Sequence, residues 1–451
     1  MLLEAAAAKW GIPVSDCRAD NGTILNMRTN ARLTYGSVAE AASKLDIQPR
    51  AYPKDPTTFR LIGKSIPRLD TADKVNGKTV FGIDVRLPGM LYASLERCPV
   101  SGGKPKSFDA TATKAVPGVK HVVQISNGVA VVADNTWAAM QGRKVLKVEW
   151  DEGPNATAST ASLKKMFSDL AEQPGTQARK TGDVEAALAS AAKKVEAVYS
   201  TPFLAHAPME PMNCTVRITA DKAEVWMPSQ NAEASLAALS TSSGLPLAQC
   251  EAYNLNQGGG FGRRGGTQDF VRQAAAIAKQ FPGVPVKLVW SREEDQAHDF
   301  YRPISQCKLS AGLDQNGNLV GLHLRVSGQS INAYLSPALI KDGKDVRQLQ
   351  GFWKDPGDAQ IGYTVPNMRI EYAMRNTHVP VGPWRGVNVN QNAVYLECFM
   401  DEAARAAGRD PLEFRRALMQ SHPKHLAVLN AVAEKGDWGK PLPAGVHRGI
   451  A

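Results

Sequence analysis

Residues 257–266 read Gln-Gly-Gly-Gly-Phe-Gly-Arg-Arg-Gly-Gly, and this segment is the most informative motif in the sequence. Five of the eight positions from 258 to 265 are glycines, so the backbone can approach a ligand closely and direct several N–H groups at it. The adjacent arginines suit a phosphate or pyrophosphate. A helix-forming stretch, DFVRQAAAIAKQF, follows at 269–281. We therefore predict an anion-binding loop that leads into a helix.

The same segment admits two other interpretations. Gly260 to Gly265 fits the pattern GxGxxG, which is typical of a dinucleotide-binding Rossmann turn and would indicate a nicotinamide-dependent dehydrogenase. However, the preceding residues, CEAYNLNQ, are too polar for the buried strand that this motif requires. The acidic cluster at 293–295 also lies farther along than the about twenty residues expected. A purely structural glycine loop is the second alternative, although such a loop does not require a phenylalanine and two arginines.

Two further segments combine polar groups with large apolar residues. The segment 202–213 places His206 four residues before Glu210, between prolines that favour a fixed, irregular loop. A lone histidine of this kind is more often a hydrogen-bonded core residue than a catalytic one. The segment 290–295, Trp-Ser-Arg-Glu-Glu-Asp, is by itself typical of a solvated turn.

Two other segments lie where helices are predicted to begin. Ser229-Gln230-Asn231 follows a predicted strand and precedes a helix, which is a favourable position for binding an anion or an amide. Residues 383–388, Pro-Trp-Arg-Gly-Val-Asn, form a second loop that combines arginine with glycine, and Arg385 suits an anion there. Together with residues 257–266, these segments predict one large, charged ligand that is held by hydrogen bonds.

Length and composition indicate an ordinary globular protein. The chain has 451 residues, of which 43% are hydrophobic and 21% charged, and its length predicts two to four domains. The net charge of +10 is dispersed along the chain, so we expect no nucleic-acid partner. No apolar run approaches the roughly 18 residues of a membrane-spanning helix, and the first residues do not resemble a secretory signal. The six cysteines are far apart and form no CxxC pair, which argues against a metal cluster bound by this chain's own thiols.

Local patterns predict an α+β fold. Asn21-Gly22 and Asn316-Gly317 are predicted to form hairpin turns, and TVFGIDV at 79–85 is predicted to be a strand. Asp410 followed by Pro411 predicts the start of a helix. The helix pattern at the first residues has no capping residue before it, and an apolar segment ends the sequence. We therefore expect the chain to be an internal piece of a longer polypeptide.

The motifs QGGGFGRR, HAPMEPMNC, SQN, WSREEDQAHDFYRP, GPWRGVN and AGRDPLEFRR together resemble the molybdenum-binding large subunit of the xanthine oxidase and aldehyde oxidoreductase family. The resemblance is greatest to the branch of isoquinoline 1-oxidoreductase beta subunits. It implies an α/β-hammerhead domain followed by a mixed-sheet molybdopterin-binding domain. The expected divisions are 1–50 as the tail of an upstream molybdopterin-binding segment, 51–155 as the hammerhead, 156–425 as the molybdopterin-binding domain and 426–451 as a linker.

The resemblance also implies roles for individual residues toward molybdenum held by molybdopterin cytosine dinucleotide. The glycine-rich segment would place backbone N–H groups of 260–262 beside the apical oxygen of the metal, and no side chain would bind the metal directly. His206 lies where other members carry a glutamine that contacts a molybdenum ligand. The cofactor-binding residues expected are Gly258 and Gly259 for close approach, Gly260, Phe261 and Gly262 for their N–H groups, Arg263 or Arg264 for the pyrophosphate, Gln230 and Asn231 for the pterin, His206, and Arg385.

The activity implied is hydroxylation of an N-heteroaromatic compound or an aldehyde, with water as the oxygen source. Electrons would pass to a small subunit with [2Fe–2S] clusters, and a cytochrome c is one candidate acceptor. The family's catalytic base is a glutamate in a Gly-Glu pair, a dipeptide that this sequence lacks, so the base is expected outside these residues. Gly265 stands where xanthine dehydrogenases carry a purine-orienting glutamate, which disfavours purines.

Two matters stay open at this point. The resemblance implies a periplasmic location for the complete protein, with a cytoplasmic location as the alternative. A non-catalytic scaffold of the same fold, which binds the cofactor or a partner subunit, is the alternative to an oxidoreductase.

Overall fold

The computed structural model describes residues 1–46, 53–343, 345–352 and 361–451. The chain divides into two compact units, Met1–Lys78 and Thr79–Ala451. The domain boundaries that were expected after residues 50, 155 and 425 stay predictions. The first of these boundaries lies outside the described residues.

The first unit packs two helices against a small antiparallel sheet of strand order β1-β2-β3. Asn21 and Gly22 both adopt positive φ, which confirms the predicted hairpin turn between the first two strands. Small alanines of the first helix pack against Ile24 and Val38 to form the core. The elements are α1 (Leu2–Trp10), β1 (Cys17–Asp20), β2 (Thr23–Asn26), β3 (Arg32–Thr34), α2 (Gly36–Ser43) and α3 (Thr71–Val75).

The second unit contains the remaining elements. Its strands are β4 (Leu91–Glu96), β5 (Lys104–Asp109), β6 (Val119–Ile125), β7 (Gly128–Ala133), β8 (Lys147–Asp151), β9 (Thr176–Thr181), β10 (Lys193–Thr201), β11 (Asn213–Ile218), β12 (Ala223–Met227), β13 (Cys250–Asn254), β14 (Val286–Val289), β15 (Ser305–Leu313), β16 (Leu319–Gly328) and β17 (Asn367–Met374). Its helices are α4 (Thr111–Lys114), α5 (Thr136–Lys144), α6 (Thr160–Ala171), α7 (Val184–Ala189), α8 (Ala232–Ser243), α9 (Asp269–Ala278), α10 (Arg292–Ala297), α11 (Ile331–Leu335), α12 (Val389–Ala406), α13 (Pro411–Leu418) and α14 (Pro423–Lys435).

A seven-stranded mixed sheet runs through the unit in the order β13-β12-β11-β14-β4-β7-β6. Every residue of β7 and β14 is buried, as expected for central strands that are covered on both faces. β4 pairs in parallel with β14, with Leu91 opposite Val286. The sheet is therefore continuous across the expected boundary after residue 155, because strands from both sides of that boundary share one hydrogen-bonded layer and one core.

A second sheet has the order β10-β15-β16-β17-β9 and packs against α6, α7 and α12. Its central hairpin turns at Asn316-Gly317, as predicted. Asp410 accepts hydrogen bonds from the backbone N–H groups of Leu412 and Glu413 at the start of α13, which confirms the predicted cap. Mixed sheets with helices on their faces confirm the predicted α+β class.

The predicted strand at 79–85 is wrong. This segment forms a short 3-10 turn at Gly82–Asp84, with an isolated β-bridge from Phe81 to Asn256, and side chains bind the backbone groups of Ile83. The N–H of Ile83 donates to Glu210 Oε1 at 2.9 Å, and its carbonyl accepts from Lys287 Nζ at 2.8 Å. The apolar pattern of 79–85 therefore predicted a strand incorrectly. At Ile83, buried polar side chains satisfy the backbone groups that a neighbouring strand would normally satisfy.

Candidate cofactor-binding site

Three loops of the second unit converge at one place. We call them the glycine loop (255–268), the histidine loop (202–212) and the arginine loop (380–388). The glycine loop contacts the histidine loop through Gly258 and Glu210, whose backbone N–H donates to the Gly258 carbonyl at 3.0 Å. Trp384 of the arginine loop donates its indole N–H to the carbonyl of Ala205 at 3.3 Å. Thus three segments far apart in sequence form one continuous surface.

Two glycines explain how closely the loops approach one another. A Cβ atom at Gly258 would lie 2.5 Å from Glu210 Cβ. At Gly262, where φ is +110°, it would lie 1.7 Å from the carbonyl oxygen of Pro383. Gly258 was expected to give room to a cofactor. In the structure it gives room to the histidine loop, so the tight packing is between protein segments.

The glycine loop contains two backbone donors without a partner among the residues described, one at the buried Gly260 and one at the exposed Phe261. Phe261 has a φ of 54° and its side chain is 40% exposed. Within the described part of the chain, the N–H groups of Gly260 and Phe261 have no hydrogen-bond partner. By contrast, the N–H of Gly262 donates to Gln230 Oε1 at 2.9 Å. Two of the three amides expected to face a ligand are therefore unpaired, whereas the third is engaged by the protein.

The guanidinium of Arg263 is buried and engaged by two carboxylates. It binds Asp269 in a bidentate manner, at 2.8 and 2.9 Å, and its Nε lies 2.8 Å from Asp299 Oδ1. Its planar head also lies within cation–π distance of Trp290 and Phe300. Contrary to expectation, Arg263 is not free to bind a pyrophosphate.

Arg264 is also fully buried, and it connects the loops from beneath. Its guanidinium donates to the carbonyl oxygens of Gly259, Glu210 and Pro228 at 2.9, 2.6 and 3.4 Å, and Nη2 lies 3.3 Å from Glu210 Oε2. Burial lowers the pKa of Arg264 to about 10, although the Glu210 carboxylate opposes this shift. The expectation that Arg264 binds a pyrophosphate is therefore also corrected.

His206 lies behind the loop surface, and Gln230 lies on it. Both ring nitrogens of the buried His206 face oxygen atoms: Nδ1 lies 3.0 Å from Asp299 Oδ2, and Nε2 lies 3.2 Å from the Pro383 carbonyl. Gln230 is exposed, and its Oε1 accepts from two amides of the glycine loop. Of these two residues, Gln230 is therefore the one whose side chain is exposed at this surface.

Asn231 and Arg385 have different roles in the structure. The Oδ1 atom of Asn231 accepts from the N–H of Ala234 at 3.0 Å and caps α8, so its oxygen is used within the protein. Arg385 is exposed, and its guanidinium has no partner in the described ranges. It follows Pro383 by two positions, beside the glycine loop. Arg385 is therefore the free cation that the sequence led us to expect here.

Sequence reasoning missed the buried carboxylates under the site. The segment 290–295 is not a solvated turn, because Ser291 caps α10 and the carboxylates of Glu294 and Asp295 are buried. Arg292 bridges Asp295, at 2.6 Å, to the carbonyl of Met209, at 2.9 Å. Burial raises the pKa of Asp295. The spacing of Asp295 and Asp299 between two large aromatic residues was the signal available for this network.

Across the described ranges, no group of three or more His, Cys, Asp or Glu side chains is arranged to bind a metal ion. Among the same residues, the helices lack the combination of length and apolarity that a membrane span requires.

Comparison with known proteins places this geometry in a family. Residues 169–419, more than half of the chain, match the family described as the molybdopterin cofactor-binding domain. The chain is 30% identical to the beta subunit of isoquinoline 1-oxidoreductase from Brevundimonas diminuta, over 97% of the chain and 61% of that protein. It is 26% identical to one subunit of the nicotinate dehydrogenase of Pseudomonas putida, over 97% of the chain and 37% of that protein.

A solved structure shares the fold. The quinoline 2-oxidoreductase of Pseudomonas putida 86 superimposes with a TM-score of 0.64 at 18% identity, over 83% of this chain and 54% of that one. The chain thus spans between about a third and two thirds of the length of these relatives. The matched range lies within the 156–425 expected for the cofactor-binding domain. The resemblance inferred from the motifs is confirmed, and the chain belongs to the molybdopterin cofactor-binding domain family.

Proposed function

We propose that this chain is part of the large subunit of a molybdenum hydroxylase that oxidises an N-heteroaromatic compound or an aldehyde, with water as the source of oxygen. The observation that carries the proposal is the pair of unpaired amides at Gly260 and Phe261. They lie on a loop that is held from beneath by buried ion pairs. Unpaired N–H groups on a closely packed loop are suited to oxygen atoms of a bound group.

The residues present fit the molybdopterin cofactor. Gly260 and Phe261 would donate hydrogen bonds to its oxygen atoms, and Arg385 would bind negative charge beside them. The amide nitrogen of Gln230 has no hydrogen-bond partner in the described part of the chain and would add one donor at the same surface. When bound, the cofactor supplies the two-electron redox centre at which the substrate is hydroxylated.

This chain's own part in the reaction is to bind and orient. The exposed ring of Phe261 would exclude water from one side of the bound group. The amides of the glycine loop would fix its orientation, because Arg264 and Gln230 hold that loop in place. The proton acceptor for the reaction is proposed to lie outside these residues, since no Gly-Glu pair is present.

The finer assignments rest on the resemblance. We propose the cytosine dinucleotide form of the cofactor, a partner subunit with [2Fe–2S] clusters, and a cytochrome c as a candidate acceptor. The relatives named as subunits support a multi-subunit enzyme. A periplasmic location stays a prediction, which cell fractionation tests.

The test of the proposed function is cofactor content. The full-length protein, purified with its partner subunit, is expected to contain molybdenum and a pterin dinucleotide. Replacing Phe261 with lysine puts a bulky charge beside the unpaired amides and should lower molybdenum per protein by about tenfold or more. Metal content is measured by mass spectrometry, and folding by circular dichroism.

The matched control is Phe108→Lys, since Phe108 is a similarly exposed phenylalanine on β5, a strand of a separate two-stranded ribbon. This variant is expected to retain molybdenum. A folded wild-type protein without metal or pterin would exclude the proposed function. Full retention in Phe261→Lys would refute the placement of the cofactor at the glycine loop.

A further inference from the structure

The carboxylate of Glu210 receives four hydrogen-bond donors. Oε2 accepts from the N–H of Gly258 at 2.8 Å and lies 3.3 Å from Arg264 Nη2. Oε1 accepts from the N–H of Ile83 and from Asn213 Nδ2, both at 2.9 Å. The residue is 6% exposed, so these contacts are shielded from water. Both oxygens are therefore fully used by the protein.

Glu210 holds the glycine loop at two points. Its backbone N–H donates to the Gly258 carbonyl while its side chain accepts from the Gly258 N–H, so both polar backbone groups of that residue are fixed. Through Arg264, the same carboxylate connects to the Gly259 carbonyl. These contacts fix the loop immediately before Gly260 and Phe261. They also help to hold Phe261 at a positive φ angle, which is unfavourable for a residue other than glycine.

We propose that Glu210 is a positioning residue that shapes the glycine loop before the cofactor binds. Its role is to hold the unpaired amides of Gly260 and Phe261 in a fixed position in the protein without cofactor. That Glu210 orders the glycine loop is inferred from contacts within this chain. The effect of this ordering on cofactor binding rests on the proposed function.

The substitution Glu210→Gln tests this directly. Every partner of the carboxylate is a donor, so the NH₂ group of a glutamine faces two donors whichever way the amide is turned. The shape of the side chain is retained, but the hydrogen bonds at one of the two oxygen positions are lost. Glu210→Asp is a milder second variant, because it keeps the charge but is one methylene too short to reach both sides.

The matched control is Glu371→Gln. Glu371 is a fully buried glutamate on β17, paired with Arg325 at 2.6 Å and with Arg369, in the other sheet. The control therefore removes a buried, arginine-paired carboxylate without touching the three loops.

The measurement is amide hydrogen exchange in the full-length protein, purified from cells that cannot make the molybdenum cofactor. In Glu210→Gln we expect exchange of the peptide covering 257–265 to accelerate by about tenfold or more, with a smaller increase in Glu210→Asp. In Glu371→Gln, that peptide should exchange as in the wild type. Unchanged loop exchange in both Glu210 variants, or equal acceleration in the control, would overturn the inference.

The consequence for binding is read from cofactor-replete cells. Glu210→Gln should contain several-fold less molybdenum than the control, and excess molybdate in the medium should restore it only in part. Wild-type metal content in a variant with a loosened loop would overturn this consequence. A wild-type protein that holds no molybdenum would instead refute the proposed function, and the exchange data would still decide whether Glu210 orders the loop.

Discussion

Arg385 is an exposed cation beside the glycine loop, with no ion pair in the parts of the chain that are described. If it binds the cofactor, Arg385→Ala should weaken retention by about 1.5–3 kcal/mol, the range for a hydrogen bond to a charged group. The measurement is molybdenum content after dialysis against increasing salt. Thermal unfolding should be unchanged, because the side chain is exposed and makes no hydrogen bond or ion pair with the described residues.

The control for this prediction is Arg375→Ala. Arg375 is likewise exposed, directly after β17, and its side chain has no partner among the described residues. It should leave metal retention as in the wild type. Equal loss of metal in both variants would indicate a general effect of net charge and would argue against a specific role of Arg385.

Lys287 provides a prediction of pH dependence. Its ammonium is buried on β14 and donates to the Ile83 carbonyl, and burial, aided by Arg86, lowers the pKa of Lys287 to about 8. Between pH 8 and the ordinary lysine pKa near 10.5, the unfolded chain holds a proton that the folded chain has released. The wild type should therefore gain stability relative to Lys287→Met as pH rises, by at most about 1.4 kcal/mol per pH unit.

Urea unfolding of both proteins at pH 7 and at pH 9.5 measures this difference. A constant difference across that range would show that Lys287 keeps an ordinary pKa in the folded chain. Lys279→Met is the control, because Lys279 is an exposed lysine that lies outside β14.

At the scale of residues, sequence could predict which groups meet but could not predict which of them stay free. The glycine loop, Gln230 and Arg385 do lie around one surface. Arg263 and Arg264 looked equally suited to an anion, yet both are neutralised within the protein. Asp269 lies 6 residues after its partner Arg263, whereas Glu210 lies 54 residues before its partner Arg264. Only the three-dimensional structure decides which carboxylate pairs with which arginine.

At the scale of elements, Asn231 belongs to α8 as its cap. Replacing it with alanine removes the acceptor for the Ala234 N–H and should lower stability by about 1 kcal/mol. Asn231→Asp keeps the acceptor and should be close to the wild type in stability. Chemical unfolding of the wild type and the two variants measures the contribution of the cap to the free energy of unfolding.

The same pair of variants tests the expected contact of Asn231 with the pterin. The aspartate keeps the cap but loses the side-chain N–H donors, so a contact through that nitrogen predicts reduced cofactor content at unchanged stability. Equal cofactor content in Asn231→Asp and wild type would assign the residue to the helix alone.

Elements with strong local signals were predicted well. The hairpins at Asn21-Gly22 and Asn316-Gly317 and the cap at Asp410 depend on neighbouring residues, and the structure contains all three. The strand predicted at 79–85 failed for a non-local reason. The backbone groups of Ile83 are satisfied by Glu210 and Lys287, which come more than a hundred residues later. A pattern confined to seven residues contains no information about such partners.

At the scale of the whole molecule, the shared seven-stranded sheet predicts how the chain behaves when it is cut. The exposed 3-10 turn at Gly153–Asn155 lies at the expected boundary between the hammerhead and the cofactor-binding domain. If a protease site is inserted there and cleaved, the two pieces should remain together, because β4 and β14 are hydrogen-bonded within one core.

Size-exclusion chromatography after cleavage measures this association. The pieces should elute as one species without denaturant and separate in urea. Separation in native buffer would support two self-contained domains divided after residue 155. The sequence could predict a boundary near that turn, but it could not show that strands on both sides of it join the same sheet.

The pairing of β4 with β14 also has a consequence during synthesis. Leu91 and Val286 are paired although they lie about 195 positions apart, which makes this contact slow to form. At about 5–20 residues per second, a ribosome needs roughly 10–40 s to make β14 after β4 has been made. During that interval one edge of β4 is an open, apolar template for aggregation, so efficient production of this protein should depend on chaperones that shield the nascent chain.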